Sequence, residues 1–163
     1  IYRVDKFTGL NSAEYLYGKG KRTVDRYATS TICMFSINNI EEINETYGRK
    51  IGTALIVQVA NTVKADISSE YVFVRYMGPK FAIAFSGTEI NETIEFVSKI
   101  KQSIESIKLV TNKKHGKNPI EAQPITNFVL GTYYKGTGIE EVTKKLEEYL
   151  DNSGTAESEI NCI

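Results

Sequence analysis

The residues best equipped for chemistry in this chain are few and far apart. Its one histidine, His115, lies in the basic, turn-rich run Lys113-Lys114-His115-Gly116-Lys117-Asn118-Pro119. No orienting partner is spaced to make it a general base, so it reads as a solvated loop residue. Cys33 and Cys162 are too far from it and from each other to compose a structural zinc site by ligand spacing. The phosphate-cradling patterns G-x-G-x-x-G and G-x-x-x-x-G-K-[ST] do not occur, nor does H-E-x-x-H. A divalent ion handling nucleotide phosphates wants hard oxygen ligands, usually carboxylates arriving from neighbouring strand ends. Here one apolar run ends in Ser36-Ile37-Asn38, and two others are joined by Met77-Gly78-Pro79-Lys80. Serine and asparagine supply only neutral oxygens, and Lys80 would repel a cation. Glu41, Glu42 and Glu45 follow the first run at helical spacing and read as a solvated acidic face. From the residues alone the expectation is no catalytic group, no metal site and no cofactor.

Composition narrows the class. A chain of 163 residues with 41% hydrophobic and 25% charged side chains is sized and balanced for one globular domain with a substantial core. Twenty basic and twenty acidic side chains cancel, which removes any bulk electrostatic case for nucleic acid or membrane surfaces. The ten tyrosines are scattered rather than interleaved with arginines, so they read as packing groups and not as a stacking platform for bases. No partner nucleic acid and no membrane contact by this segment are expected. No run reaches the roughly 18 apolar residues of a membrane span. Two unpaired-looking cysteines suit a reducing compartment, hence a cytoplasmic location or the cytoplasmic part of a larger membrane protein. The chain opens at Ile1 without methionine, as a piece of a longer protein would.

The elements that must position these residues follow from periodicity. A helix is expected over about 12–24, interrupted by Gly18 and Gly20. Thr29–Ile37 is an apolar, β-branched-rich run, the pattern of a strand buried on both faces. A short helix runs to Tyr47 and stops at Gly48, and a second covers about 50–65. Tyr71–Tyr76 and Lys80–Phe85 form a hairpin. Ile90, Ile94, Val97, Ile100 and Ile104 line one face of the clearest helix. Strand material at Ile107–Thr111 and about Thr126–Tyr134 precedes a last helix, about Ile139–Leu150. Residues 1–150 form the domain, and 151–163 read as a polar tail or linker. This order implies an α/β (α+β) fold with a mixed, partly antiparallel central sheet wrapped by helices.

Several of these segments, in this order, resemble the GGDEF family of diguanylate cyclases. Asp5-Lys6-Phe7-Thr8-Gly9-Leu10-Asn11 resembles that family's D-x-L-T-G-L-x-N opening, with one residue fewer. The stretch from Ser36 to Gly48 is similar to D-x-D-x-F-K-x-I-N-D-x-Y-G, and Gly52 and Leu55 fall on G-D-x-x-L. Arg75-Tyr76-Met77-Gly78-Pro79-Lys80-Phe81 falls on R-Y-G-G-D-E-F, and Leu130-Gly131-Thr132 on the late strand S-I-G-V/I-A. The resemblance spans roughly residues 5 to 150 and implies a nucleotide-cyclase-like fold.

Carried over residue by residue, the chemistry that the resemblance implies is largely lost. The two aspartates of D-x-D correspond to Ser36 and Asn38, and Ile37 keeps the backbone carbonyl used between them. The phosphate-contacting Phe-Lys pair becomes Ile40-Glu41. In the signature, the first glycine becomes Met77, the acidic third residue Pro79 and the glutamate Lys80. Asn44 matches the base-reading asparagine, while its partner aspartate corresponds to Thr53. The product-inhibition pattern R-x-x-D would fall on Ser68 and Tyr71, and in the late A-D-x-A-x-Y-x-A-K helix Lys145, Leu146 and Glu148 stand where two alanines and an aspartate are usual.

Losing one strong electrostatic contact to a transition state costs about 100- to 1000-fold, and several are replaced together. The expectation is therefore a catalytically inactive regulatory or protein-interaction domain of a bacterial signalling protein. Its partners would be an attached cyclic-di-GMP phosphodiesterase or other output domain, or a second copy in a homodimer. The alternative is a metal-independent sensor of GTP or another purine nucleotide, with Asn44 on the base and Lys80, with Arg49 or Arg75, on phosphate. An active diguanylate cyclase, or an unrelated enzyme using the altered pocket, is the least supported reading.

Overall fold

The computed structural model describes residues 2–110, 121–153 and 158–163. Strand β1 (Thr29–Ile37) lies at the centre of a five-stranded sheet ordered β2-β3-β1-β6-β7. It is flanked antiparallel by β3 (Lys80–Phe85), in register from Thr31↔Phe85 to Ser36↔Lys80. On its other side β6 (Thr126–Tyr134) runs antiparallel, from Thr29↔Tyr134 to Ile37↔Thr126. Every β1 residue after Thr29 is buried, which is why Ile32 to Phe35 run apolar without alternating with exposed polar residues. Outside β3 lies β2 (Val72–Met77).

The pleat sends alternate side chains into two separate cores. Cys33, Phe35 and Ile37 face a large core closed by α3 (Ile40–Tyr47), α4 (Arg49–Asp66) and α5 (Ile90–Glu105). Phe35 anchors it, stacked on Phe81 at 5.1 Å and on Phe128 at 4.7 Å between ring centroids. Ile32 and Met34 face a second core, where Leu16, Val24, Tyr133, Leu146 and Leu150 pack under the first helical segment and α6 (Ile139–Asn152). Each fully buried side chain of this size contributes about 1.5–3 kcal/mol by leaving water.

The expected hairpin is present, with β2 set one residue later than its sequence pattern implies. Gly78 takes φ 55° at the turn. Pro79 cannot adopt a positive φ, so of the two primed turns only the one with a single left-handed residue, at Gly78, is open. The N-terminal helix does not break at its glycines. It runs on through α1 (Ala13–Tyr15), a π-helical turn (Leu16–Gly20) and α2 (Lys21–Val24). Gly18 lies in this wider turn, where a Cβ would run into the Tyr2 phenol.

The C-terminal stretch corrects the expectation of a polar tail. The α6 helix continues through Asp151 to Asn152, and β7 (Glu159–Cys162) pairs parallel with β6 from Asn127↔Glu159 to Leu130↔Cys162. Ile160 packs on the large core, an apolar position in a run that otherwise looks too polar for a strand. Lys101 in α5 secures this strand: its ammonium donates to the Thr126 carbonyl at 3.0 Å and also meets Glu105 and Ser158. Of the strand expected at Ile107–Thr111, β4 (Leu109–Val110) forms a small ribbon with β5 (Glu121–Ala122). Thr111 and the loop holding His115 lie outside the described residues.

Candidate functional site

The two places singled out in sequence meet in space. The antiparallel register sets Ser36 opposite Lys80, and the Ile37 amide donates to the Pro79 carbonyl at 3.1 Å. The end of β1 and the β2–β3 tip thus form one rim. The next residues tie this rim to the start of β6. The Asn38 amide donates to the Ile125 carbonyl at 2.7 Å. The Asn39 side chain accepts from the Ile125 amide at 2.8 Å and donates to the Gln123 carbonyl at 2.8 Å. Asn38 Nδ2 is buried with no hydrogen-bond partner among the described residues, and an unmet buried donor costs stability.

Lys80 does not project into an open cleft. On the β3 pleat it shares a face with Ala82 and Ala84, the face covered by α6. Its ammonium lies 2.5 Å from Asp151 Oδ1 and 3.6 Å from Glu147 Oε2. These two acids are four apart on α6 and therefore share a helix face. The same Glu147 accepts a hydrogen bond from the Tyr76 hydroxyl at 3.2 Å, and Tyr76 in turn accepts from Tyr17 at 3.2 Å. Burial, the Tyr17 hydroxyl and the Glu147 charge together push the Tyr76 phenol far above its ordinary pKa. A continuous polar seam, Tyr17–Tyr76–Glu147–Lys80–Asp151, therefore closes the α6 side of the hairpin.

Arg75 is engaged as well. Its Nε donates to the Gly78 carbonyl at 2.9 Å, and Nη1 lies 3.0 Å from Asp5 Oδ2. Asp5 also accepts from the Thr8 amide at 2.9 Å and the Thr8 hydroxyl at 2.7 Å. Burial works to raise its pKa, but the Thr8 hydrogen bonds and Arg75 outweigh it and hold the carboxyl below its usual 3.8. Arg75 thus clamps the N-terminal turn to the hairpin tip. Asn44 lies half-buried on α3. A Cβ on Gly52 of α4 would approach Asn44 Cγ within 2.8 Å, so the side-chain amide packs directly on the α4 backbone. Arg49 begins α4 and is exposed.

The sequence model of the family described as "Diguanylate cyclase, GGDEF domain" matches residues 2–156. This chain belongs to the GGDEF domain family. Among sequence relatives, it is 29% identical over 83 residues to the uncharacterized protein YtrP of Bacillus subtilis, covering 51% of this chain and 14% of that one. It is 24% identical over 90 residues to diguanylate cyclase A of Treponema denticola, covering 55% of this chain and 24% of that one. The chain therefore spans a quarter or less of these relatives' length.

Among solved structures, diguanylate cyclase SiaD of Pseudomonas aeruginosa, in complex with its activator SiaC, superposes with TM-score 0.84 at 13% identity over 98% of this chain and 61% of that one. The GGDEF domain of DgcB from Caulobacter crescentus, in complex with c-di-GMP, gives 0.81 at 16% over 99% and 98%. The FimX GGDEF domain from Pseudomonas aeruginosa gives 0.81 at 16% over 99% of each chain. These likenesses establish the fold of this GGDEF domain, a mixed sheet wrapped by helices as expected from sequence.

The groups at this GGDEF rim do not fit a divalent ion. Ser36 and Asn38 offer neutral oxygens, Pro79 offers none from its side chain, and Lys80 brings a positive charge. Among the described residues no group of three or more His, Cys, Asp or Glu side chains is arranged to hold a metal. Of the three residues singled out as nucleotide contacts, Arg75 and Lys80 lie at the hairpin but on carboxylates of this chain, and Asn44 lies on α3. Sequence reasoning missed the acids that hold them. Glu147 and Asp151 carry a readable signal in their four-residue spacing, but the sequence pattern ends the last helix at Leu150, before Asp151. Asp5 reads in sequence only as part of the opening turn.

Proposed function

We propose that this GGDEF domain is a catalytically inactive regulatory or protein-interaction module of a larger bacterial signalling protein. It acts on an attached phosphodiesterase or other output domain, or through a homodimer, in the cytoplasm. The observation that carries this reading is the Lys80 ammonium held between Glu147 and Asp151 at the hairpin tip. Cyclisation requires attack of a ribose 3′ oxygen on an α-phosphate, with positive charge gathered on the phosphates by metal ions bound to carboxylates. This rim supplies a lysine already neutralised by two acids of α6, and two neutral side chains. The folded frame supports a role that needs shape rather than turnover.

The test uses the full-length parent protein, assayed for assembly and for output activity with and without this domain, and separately for GTP consumption with magnesium or manganese. The expected result is a change in assembly or output on removing the domain, with no cyclic dinucleotide formed. Unaltered assembly and output, or product formation from GTP, would overturn it. A metal-independent purine nucleotide sensor has less support, because Arg75 and Lys80 would have to abandon Asp5 and the α6 acids to meet phosphate. Calorimetry with GTP, with and without magnesium, separates the two: saturable heat in the absence of magnesium favours the sensor.

A further inference from the structure

At the other end of the hairpin, far from the Lys80 rim, a cavity of about 200 Å³ is lined by Tyr71, Phe85, Thr88, Glu92, Thr93 and Phe96. Its aromatic walls stand at angles to one another. Tyr71 meets Phe85 edge-on, 5.2 Å between centroids at 68°, and Phe96 meets Phe85 at 5.8 Å and 84°. Two half-buried rings set steeply against the buried Phe85 make an aromatic lining, and the exposed Glu92 adds a carboxylate. The two hydroxyls have their protons engaged inside the chain. Thr88 Oγ1 lies 2.9 Å from the Phe85 carbonyl, Thr93 Oγ1 2.7 Å from the Glu89 carbonyl, and the two hydroxyl oxygens are 2.9 Å apart, so neither hydroxyl has a proton left for a guest.

Among the described residues no lysine, arginine or histidine lines the cavity. Beside it, burial first, then the Glu70 carboxylate and Tyr27, raise the pKa of the Tyr71 phenol. Aromatic faces, hydroxyl lone pairs and a carboxylate share one electrostatic preference. Each attracts positive charge and repels a phosphate.

We propose that the Tyr71–Phe85–Phe96 pocket with the exposed Glu92 is a binding site for a small organic cation, an alkylammonium or quaternary ammonium group. The volume suits a headgroup of a few heavy atoms rather than a nucleotide, and the half-buried Tyr71 and Phe96 rings pack on the buried Phe85. The inference is independent of whether the domain turns over GTP, since it concerns a different end of the sheet.

The test is calorimetric titration of the full chain with choline chloride and with tetramethylammonium chloride. 3,3-Dimethylbutan-1-ol, the uncharged carbon isostere of choline, serves as the control. Saturable binding of the cations is expected, with the neutral alcohol weaker by about 10-fold. Glu92→Gln, on an exposed helix position, should weaken choline about 3- to 10-fold without altering the fold, and Phe96→Leu should do the same if its thermal unfolding stays cooperative. Equal binding of alcohol and cation, or no saturable heat from either cation at tens of millimolar, overturns the proposal. So does wild-type choline affinity in Glu92→Gln together with a folded Phe96→Leu.

Discussion

At the scale of single residues, the hairpin lysine is the informative one. Lys80 is mostly enclosed, with 17% of its side chain exposed, and has two carboxylates within 4 Å. Lys80→Glu would put three acids together and should destabilise the fold by about 1–3 kcal/mol, read as a lower urea midpoint at neutral pH. Lys80→Glu combined with Asp151→Lys restores one opposite-charge pair and should recover part of that loss, giving a coupling of about 0.5–3 kcal/mol in the double-mutant cycle. Strict additivity would show that the pair is not the interaction that matters. The base at this position was legible in sequence, but its partners were not. A cation at a hairpin tip reads as solvated or phosphate-seeking until the fold lays a helix across it, and that approach is a long-range fact which no local spacing encodes.

At the scale of elements, the best-read parts were those with a strong local period. The β1 run, the β2–β3 hairpin and the isoleucine stripe of α5 were readable because burial on two faces, a turn and a 3.6-residue repeat each leave a pattern within a dozen residues. β7 was not readable: Glu159, Asn161 and Cys162 resemble a tail, and only pairing with β6 and the Lys101 contacts make them a strand. The α3–α4 corner shows the same dependence on context. Gly52 is helical and buried, and Asn44 lies directly against it. Gly52→Ala therefore should not gain the usual helix-propensity benefit of about 1 kcal/mol. It should instead cost about 1–3 kcal/mol by pushing Asn44 and α3 outward, visible as a lowered melting temperature. Shortening the side chain in Asn44→Ala/Gly52→Ala should return most of it. A stabilised Gly52→Ala single variant would contradict the close packing.

At the scale of the whole molecule, two cores on opposite faces of one sheet must be held in register, and a carboxylate joins elements at the edge of the smaller one. Asp25, just after α2, accepts from the Tyr133 hydroxyl at 2.7 Å and the Gly136 amide at 3.3 Å, and it also pairs with Lys21. The Lys21 hydrogen bond first, then that of Tyr133, lowers its pKa from 3.8 to about 2. A depressed carboxylate pKa adds stability that is fully present above 3.8 and is lost as pH falls toward about 2. The stability difference between the wild type and Asp25→Asn should therefore shrink across that acid window and stay constant above pH 5, as followed by urea unfolding at each pH. A difference independent of pH would mean that the proton on Asp25 is not linked to folding. The Lys80 seam also limits which charges the hairpin tip tolerates. An acid at position 80 alone would stand against Glu147 and Asp151, so a reversal of charge on the strand is accommodated only together with a reversal on α6. The tip and the helix form one electrostatic unit, and neither can be recharged without the other.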